Sequence, residues 1–339
     1  MRKYLLPETG SFYKANLHCH TVISDGRRTP EEVKALYKGG GYSVVAFTDH
    51  NVMIPHPDLR DPDFLPLTGY ELNINSPGYP AKDAKTCHAC FISLYDPDRP
   101  QPVMIRKNLK KATLYWADFV KLAPGAESFT PVYDPQYINP MLRAGRDSGF
   151  FVTYNHPVWS QENFGDYMNY HGMNAMEICN YGCACMGFDE YNGREYSDML
   201  NGGERIFCIA TDDNHNKHAD RTPDSDSFGG WTVIRADRLD YESVSAALEA
   251  GNFYASTGPE IYSLFFEDGK VSVTCSDAQT VSCITGVRTA RRAPGDSWRI
   301  INGAEFDIPA ECRWFRIEVK GPDGHCAYTN AYFTDTLPY

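Results

Sequence analysis

The sequence predicts an α/β barrel followed by a small all-β domain, and three observations carry that reading. Along the first 260 residues, short apolar runs alternate with helix signals and end in charged or metal-binding side chains. From Ile261 onward that alternation gives way to short strands such as "LFFEDGKVSVTC" and "WFRIEVKGPDG", separated by Gly, Pro and Asp turn signals. The length, 339 residues, exceeds the roughly 250–300 at which a single core usually stops growing. The expected division is therefore a barrel over residues 1–260, interrupted by an insertion at about 97–148, and a sandwich-like β domain over 261–339.

The first element carries the first chemical signal. In "LHCHTVISDG", Leu17 to Gly26, His18 and His20 are two apart, so on an extended chain they project from one face while Leu17 and Cys19 project from the other. Two imidazoles converging on one point is a metal-ligand geometry. In "RRTPEEVKALYKGGG", Thr29 is the expected N-cap, Pro30 the first helical residue, Glu32 the partner in a capping box and Gly39 to Gly41 the stop. "YSVVAFTDH" then reads as a buried strand ending in Asp49 and His50.

Later runs follow suit: "LPLTGYELNI" carries Glu71, "GFFVTYNHP" ends in His156, "NAMEICNY" carries Glu177, and "RIFCIATDDNH" ends in Asp212, Asp213 and His215. "CHACFISLY" breaks the rule, because His88 precedes its apolar run. Within the insertion, "MIRKNLKKATLYWADFVKLA" reads as one helix with Arg106, Lys107, Lys110 and Lys111 crowded at its start. That cluster is either a solvated face or a cationic lid over an anionic substrate. "LDYESVSAALEAGNFYAS" is a further helix stopped by Gly251.

Composition narrows the function. A net charge of −12 opposes general nucleic-acid binding, although bound cations can still attract a small anion. No run approaches the roughly 18 apolar residues of a membrane span, and "MRKYLLPETG" lacks the apolar core of a secretion signal. The eleven cysteines are expected as reduced core thiols, and the cytoplasm is the expected compartment. Cys87 and Cys90 flank His88 in a C-x-x-C pattern and Cys179, Cys183 and Cys185 cluster, but neither group has the second pair of a zinc ribbon.

Collected, the candidates are His18, His20, Asp25, His50, Glu71, His88, His156, Asp213 and His215, which use six of the ten histidines. A lone histidine at a strand end is usually structural; six with three carboxylates on one barrel face point to metal. His171 and His325 lie away from these segments and are expected to be bystanders.

The H-x-H-T-x-x-S-D-G of residues 18–26, T-D-H of 48–50, G-x-E of 69–71, H-P of 156–157 and D-x-H of 213–215 together resemble, in order, the motifs of the polymerase and histidinol phosphatase (PHP) family. The resemblance spans roughly residues 12–260. It implies a distorted (β/α)7 TIM-like barrel that holds two or three divalent metals for phosphoester hydrolysis. It further implies a first metal on His18, His20, Glu71 and Asp213, a second shared through Glu71 with His88 and His156, and a third on Asp25, His50 and His215. Asp212, adjacent to the implied ligand, stands as a further candidate ligand or proton carrier, with His218 as an alternative proton donor. Arg27 and Arg28 are either phosphate contacts or a solvated helix start.

Mixed imidazole and carboxylate ligands suit Zn, Mn or Fe. Two such ions roughly 3.5–4 Å apart would activate a bridging water and clamp the substrate oxygens. The expected activity is a metal-dependent phosphoesterase acting on a small phosphorylated metabolite or nucleotide. The alternatives are a metal-dependent amide or ester hydrolase, and a binding module in which metals only hold the fold.

Overall fold

The computed structural model describes residues 1–81, 83–294, 299–309 and 311–338. Its strands are β1 (Lys3–Tyr4), β2 (Ser11–Asn16), β3 (Val44–Phe47), β4 (Leu65–Asn75), β5 (Thr86–Ser93), β6 (Phe150–Tyr154), β7 (Ala175–Asn180), β8 (Phe207–Thr211), β9 (Trp231–Ala236) and β10 (Phe253–Ser256). Beyond these come β11 (Ile261–Glu267), β12 (Lys270–Ala278), β13 (Thr280–Thr285), β14 (Arg291–Ala293), β15 (Ile301–Asp307), β16 (Trp314–Lys320), β17 (Cys326–Thr329) and β18 (Tyr332–Phe333). The helices are α1 (Pro30–Gly39), α2 (Lys111–Trp116), α3 (Pro135–Asp147), α4 (Phe164–Tyr167), α5 (Tyr181–Cys185), α6 (Gly193–Gly202) and α7 (Tyr241–Ala250).

A large mixed sheet runs β8-β7-β6-β5-β4-β3-β2-β9-β10-β17-β16-β13-β14. Pairing is parallel from β2 to β4 and from β6 to β8, but β5 lies antiparallel to both neighbours. Between β2 and β8 the sheet therefore departs from all-parallel pairing at β5, and beyond β2 it is antiparallel from β9 onward. The start of β5 lies at the same sheet edge as the ends of the strands around it, and His88 is near that start. The exception noticed in the sequence is a strand reversal. The segments that follow β2 and β8 meet through the bridge Cys19–Asn214, with Asn16 Nδ2 donating to Asn214 Oδ1 at 2.8 Å; no ladder joins β2 to β8 among the described residues.

The apolar faces explain the layers. Ala15, Leu17, Val44, Ala46, Leu65, Leu67, Ile92, Phe151 and Ile209 form an interior cluster with Tyr241, Val244 and Leu248 of α7. Val45 and Phe47, pointing the other way, meet Val33 and Tyr37 of α1. Helix α1 begins as its sequence predicts: Glu32 N donates to Thr29 Oγ1 at 3.3 Å, and Thr29 N donates to Glu32 Oε2 at 2.8 Å.

The insertion does not hold one long helix. Arg106–Asn108 is a single 3-10 turn, Leu109 is extended and buried, α2 has six residues, and a second turn covers Ala117–Phe119. Leu109 and Ala117 pack with Ile23, Val52 and Met104 in a small cluster of their own. Burying those side chains against the strand-end loops bends the segment. The rest of the insertion packs on the main sheet: α3, capped by Asp134, buries Ile138, Met141 and Leu142 and leads directly into β6.

The C-terminal strands continue the main sheet, since β10 pairs with both β9 and β17. A second sheet, β1-β11-β12-β15, brings Lys3–Tyr4 of the N-terminus onto this region. Trp314 and Tyr328 share a core with Tyr196 and Met199 of α6, and Trp314 Nε1 donates to Asn201 Oδ1 at 3.1 Å. All eleven cysteines are free thiols, and all but Cys185 and Cys326 are buried. No helix among the described residues is long and apolar enough to cross a membrane.

Candidate metal centre

The strand ends β2, β4, β6 and β8, the start of β5 and the loop after β3 deliver nine side chains to one place, and Glu71 is at its middle. Glu71 is wholly buried. Its Oε1 lies 3.2 Å from His18 Nε2, 3.1 Å from His88 Nδ1 and 3.2 Å from His156 Nε2. Its Oε2 lies 3.0 Å from His50 Nδ1 and 3.5 Å from His20 Nε2. The two oxygens of one carboxylate thus face two different sets of imidazoles.

On one side, His18 Nε2 and His20 Nε2 are 3.1 Å apart and stand 3.2 and 3.1 Å from Asp213 Oδ1. With ligand bonds of roughly 2.0–2.1 Å, the edge of a tetrahedral site is about 3.3 Å, so these separations suit ligands that share one ion. On the outer side, Asp25 Oδ1 lies 3.4 Å from His215 Nε2, 3.7 Å from His50 Nε2 and 3.9 Å from His20 Nδ1. All nine predicted ligand positions therefore occupy one cluster, in overlapping groups of three and four that could each hold an ion.

The donor set fits cations on two further observations. Glu71 Oε2 and Asp213 Oδ1 are buried and have no hydrogen-bond donor, and the same holds for one ring nitrogen each of His50 and His88. His18 Nδ1 is tied to Glu177 Oε1 at 2.8 Å, which turns the lone pair of Nε2 toward the Glu71 and Asp213 oxygens. Electrostatics point the same way. Burial opposes the ionised form of Glu71, but His88, His18 and His50 outweigh it and hold the carboxyl well below its usual range. Burial, with His215 and His50, pushes His20 down to about 3. Against burial, Glu71 and Asp213 draw a proton onto His156, at about 9. The carboxylates of the cluster favour nearby positive charge, which divalent cations could supply in place of protons.

The local backbone is shaped for this convergence. His156 and Asp213 sit at φ 27° and 49°, and Asn51, just after His50, at 62°. Non-glycine residues adopt this region rarely and at a cost of about 1–3 kcal/mol each. Glycines of two predicted motifs serve close approaches: a Cβ on Gly26 would lie 2.5 Å from the His20 carbonyl oxygen, and one on Gly69 would lie 2.8 Å from that of Phe91.

Two predicted catalytic residues have other roles. Asp212 faces away from the cluster and is saturated: its oxygens accept from Tyr37 Oη (2.8 Å) and from the backbone N–H groups of Phe228 (2.8 Å), Gly229 (2.9 Å) and Gly230 (3.0 Å). Successive residues leaving β8 point in opposite directions, so Asp212 anchors the loop after the strand while Asp213 enters the site. Arg27 is exposed and outside the cavity, contributing a backbone N–H to His215 O at 2.9 Å. Arg28 pairs with Asp220 at 2.6 Å.

Several contributors had no assigned role from sequence. Glu177, in sequence simply the charged residue of its strand, binds His18 Nδ1, His156 N, Asn180 Nδ2 and Thr211 Oγ1. Asp49 accepts four hydrogen bonds from Thr21 and Ser24 and holds the loop that carries Asp25. Asn155, the neighbour of His156, donates to Glu71 Oε1 at 3.0 Å.

The cluster floors a cavity of about 490 Å³. Trp159 and Met186 line it as apolar surfaces, Tyr79 comes from the β4–β5 connection, and Lys110, Lys217 and His218 bring cationic or titratable groups. Of the four clustered cations in the insertion, Lys110 lines the cavity; Arg106 pairs with Glu127, and Lys107 donates to Pro131 O at 3.0 Å.

No model of a known protein family matches the chain, and no curated protein does. Among solved structures it is similar to a two-domain protein from Bacteroides vulgatus, described as containing a predicted PHP-like metal-dependent phosphoesterase. The identity is 14%, the TM-score 0.45, and the match covers 97% of this chain and 98% of that one. It is also similar to a proposed metal-dependent phosphoesterase from Bifidobacterium adolescentis, with 15% identity, a TM-score of 0.36, and coverage of 64% of this chain and 91% of the other. At that level neither defines the chemistry of this chain, which rests on its own residues. Those residues define a candidate multinuclear metal site at one edge of an α/β sheet.

Proposed function

We propose that the protein is a metal-dependent phosphoesterase of PHP type that hydrolyses a small phosphorylated molecule. The observation that carries this reading is Glu71, whose buried carboxylate faces His18, His88 and His156 with one oxygen and His20 and His50 with the other. Held by His18, His20, Asp25, His50, Glu71, His88, His156, Asp213 and His215, two or three divalent cations would supply Lewis acidity toward phosphoryl oxygens and an acidified water.

The chain's own groups do the rest. Glu177 and Asn155 orient ligands, so that the carboxylate and imidazole atoms are fixed before substrate arrives. Lys110 and Lys217 stand on the cavity wall, where their charge favours entry of an anion into a molecule that is otherwise acidic. Trp159 and Met186 give the organic part of the ester an apolar surface and exclude water from it. With Asp212 engaged elsewhere, His218, which lines the cavity, or a metal-bound water would give a proton to the departing alkoxide.

The test is a screen of phosphomonoesters and phosphodiesters alongside amide and carboxylic ester substrates, after reconstitution with Zn, Mn or Fe. Turnover of phosphoesters with strong inhibition by inorganic phosphate supports the proposal. Turnover of amides or esters alone, insensitive to phosphate, refutes it.

A further inference from the structure

A tenth side chain reaches the cluster. Cys90 is on β5 two residues after His88 and therefore on the same face, while Cys87, Ala89 and Phe91 point the other way into the apolar core. It pairs across the sheet with Glu71. The thiol is wholly buried, and its Sγ lies within 4.8 Å of ligand atoms of both His18 and Glu71. Asn155 Nδ2 donates to Sγ at 3.1 Å and to Glu71 Oε1 at 3.0 Å, so sulfur and carboxylate are presented side by side as acceptors by one amide. His18 Nε2 lies 3.2 Å from that same Oε1, so imidazole, carboxylate and thiol converge on one spot.

From this arrangement we infer that Cys90 is a metal ligand, binding as a thiolate to the ion shared by His18 and Glu71. The inference rests on the metal-centre reading above. On coordination the Sγ–H proton passes to solvent and a sulfur lone pair forms the new bond; no electron is transferred. A thiolate makes this position softer than an all-nitrogen-and-oxygen site, which favours Zn or Fe over Mn there. The other thiol near the ligands, Cys183, lines the cavity with its Sγ 3.9 Å from Asp213 Oδ2 and is the control.

The experiment substitutes Co(II) for the native ions in the full chain and records its spectrum. Visible d–d bands report that the centre binds metal, and near-ultraviolet thiolate-to-cobalt charge transfer reports sulfur. The expected result is both signals in the wild type and in Cys183→Ser, with the charge-transfer band lost in Cys90→Ser while the d–d bands persist. Should Cys90→Ser not fold, X-ray absorption of the wild type and of Cys183→Ser decides, with a sulfur scatterer at about 2.3 Å expected in both. Visible bands without charge transfer, or a sulfur signal lost in Cys183→Ser or kept in Cys90→Ser, overturn the assignment and leave the metal centre intact. Absence of all cobalt binding overturns both.

Discussion

Two residues illustrate how local chemistry decides behaviour here, one at the site and one behind it. Gly26 closes the loop carrying Asp25, and a methyl group there would meet the His20 carbonyl at 2.5 Å. Gly26→Ala should cost about 1–3 kcal/mol and lower metal content at the Asp25, His50 and His215 group. Calorimetry with elemental analysis checks this, and an unchanged melting temperature and metal load would show the loop has room. Glu162 is buried and accepts from Tyr133 (2.7 Å), Tyr154 (2.7 Å) and Tyr170 (2.6 Å). Burial pushes its carboxyl from the ordinary 4.5 up to about 7. A folded-state value above the unfolded one means that its stabilising contribution is full below about 4.5 and is lost as pH rises through about 7. With metal saturating, the unfolding free energy of the wild type relative to Glu162→Gln should fall by about 2–3 kcal/mol between about pH 5 and 8. Parallel profiles would mean the carboxyl is not strained by its burial.

Elements were legible where a local rule sufficed. Thr29, Pro30 and Glu32 mark the start of α1 because capping is a contact over three residues. The insertion departs from the single helix its sequence predicts because charge and propensity at 104–123 are local, whereas burying Leu109 and Ala117 against Ile23 and Val52 is a long-range demand. His88 looked anomalous because the direction of β5 is a property of the sheet and not of its own residues. The bend also changes what the cations do. Lys110→Gln should raise the Michaelis constant for an anionic substrate several-fold, with a shift in stability below about 1 kcal/mol. Lys107→Gln, on a side chain held by Pro131 O, should leave it unchanged. Equal constants in both variants and the wild type would assign the whole cluster to a solvated face.

At the scale of the molecule, the candidate cluster could be gathered from sequence because most of its residues lie just after strand ends on one sheet edge, with Glu71 inside β4 and His88 near the start of the reversed β5 as the exceptions. The support behind it was not legible: Glu177 meets His18 across 159 positions of chain, and Tyr37 meets Asp212 across 175. No periodicity records such pairs. The separate apolar clusters, one between the main-sheet strands and α7, one shared with the C-terminal sheet and one under α1, give the fold a core independent of metal. Chelation should therefore abolish turnover and lower the melting temperature while far-ultraviolet circular dichroism stays that of a folded protein. Collapse of the spectrum on chelation would instead make the metals structural.

The central claim is that Glu71 joins more than one ion in a single centre, and metal stoichiometry tests it most directly. Elemental analysis of wild type and Glu71→Gln, purified side by side without chelators, should find two or three divalent ions per chain in the wild type. It should find at most about one in the variant, because losing the shared carboxylate weakens two positions together. One ion or none in a folded wild type, or equal loading of the two proteins, would contradict the account.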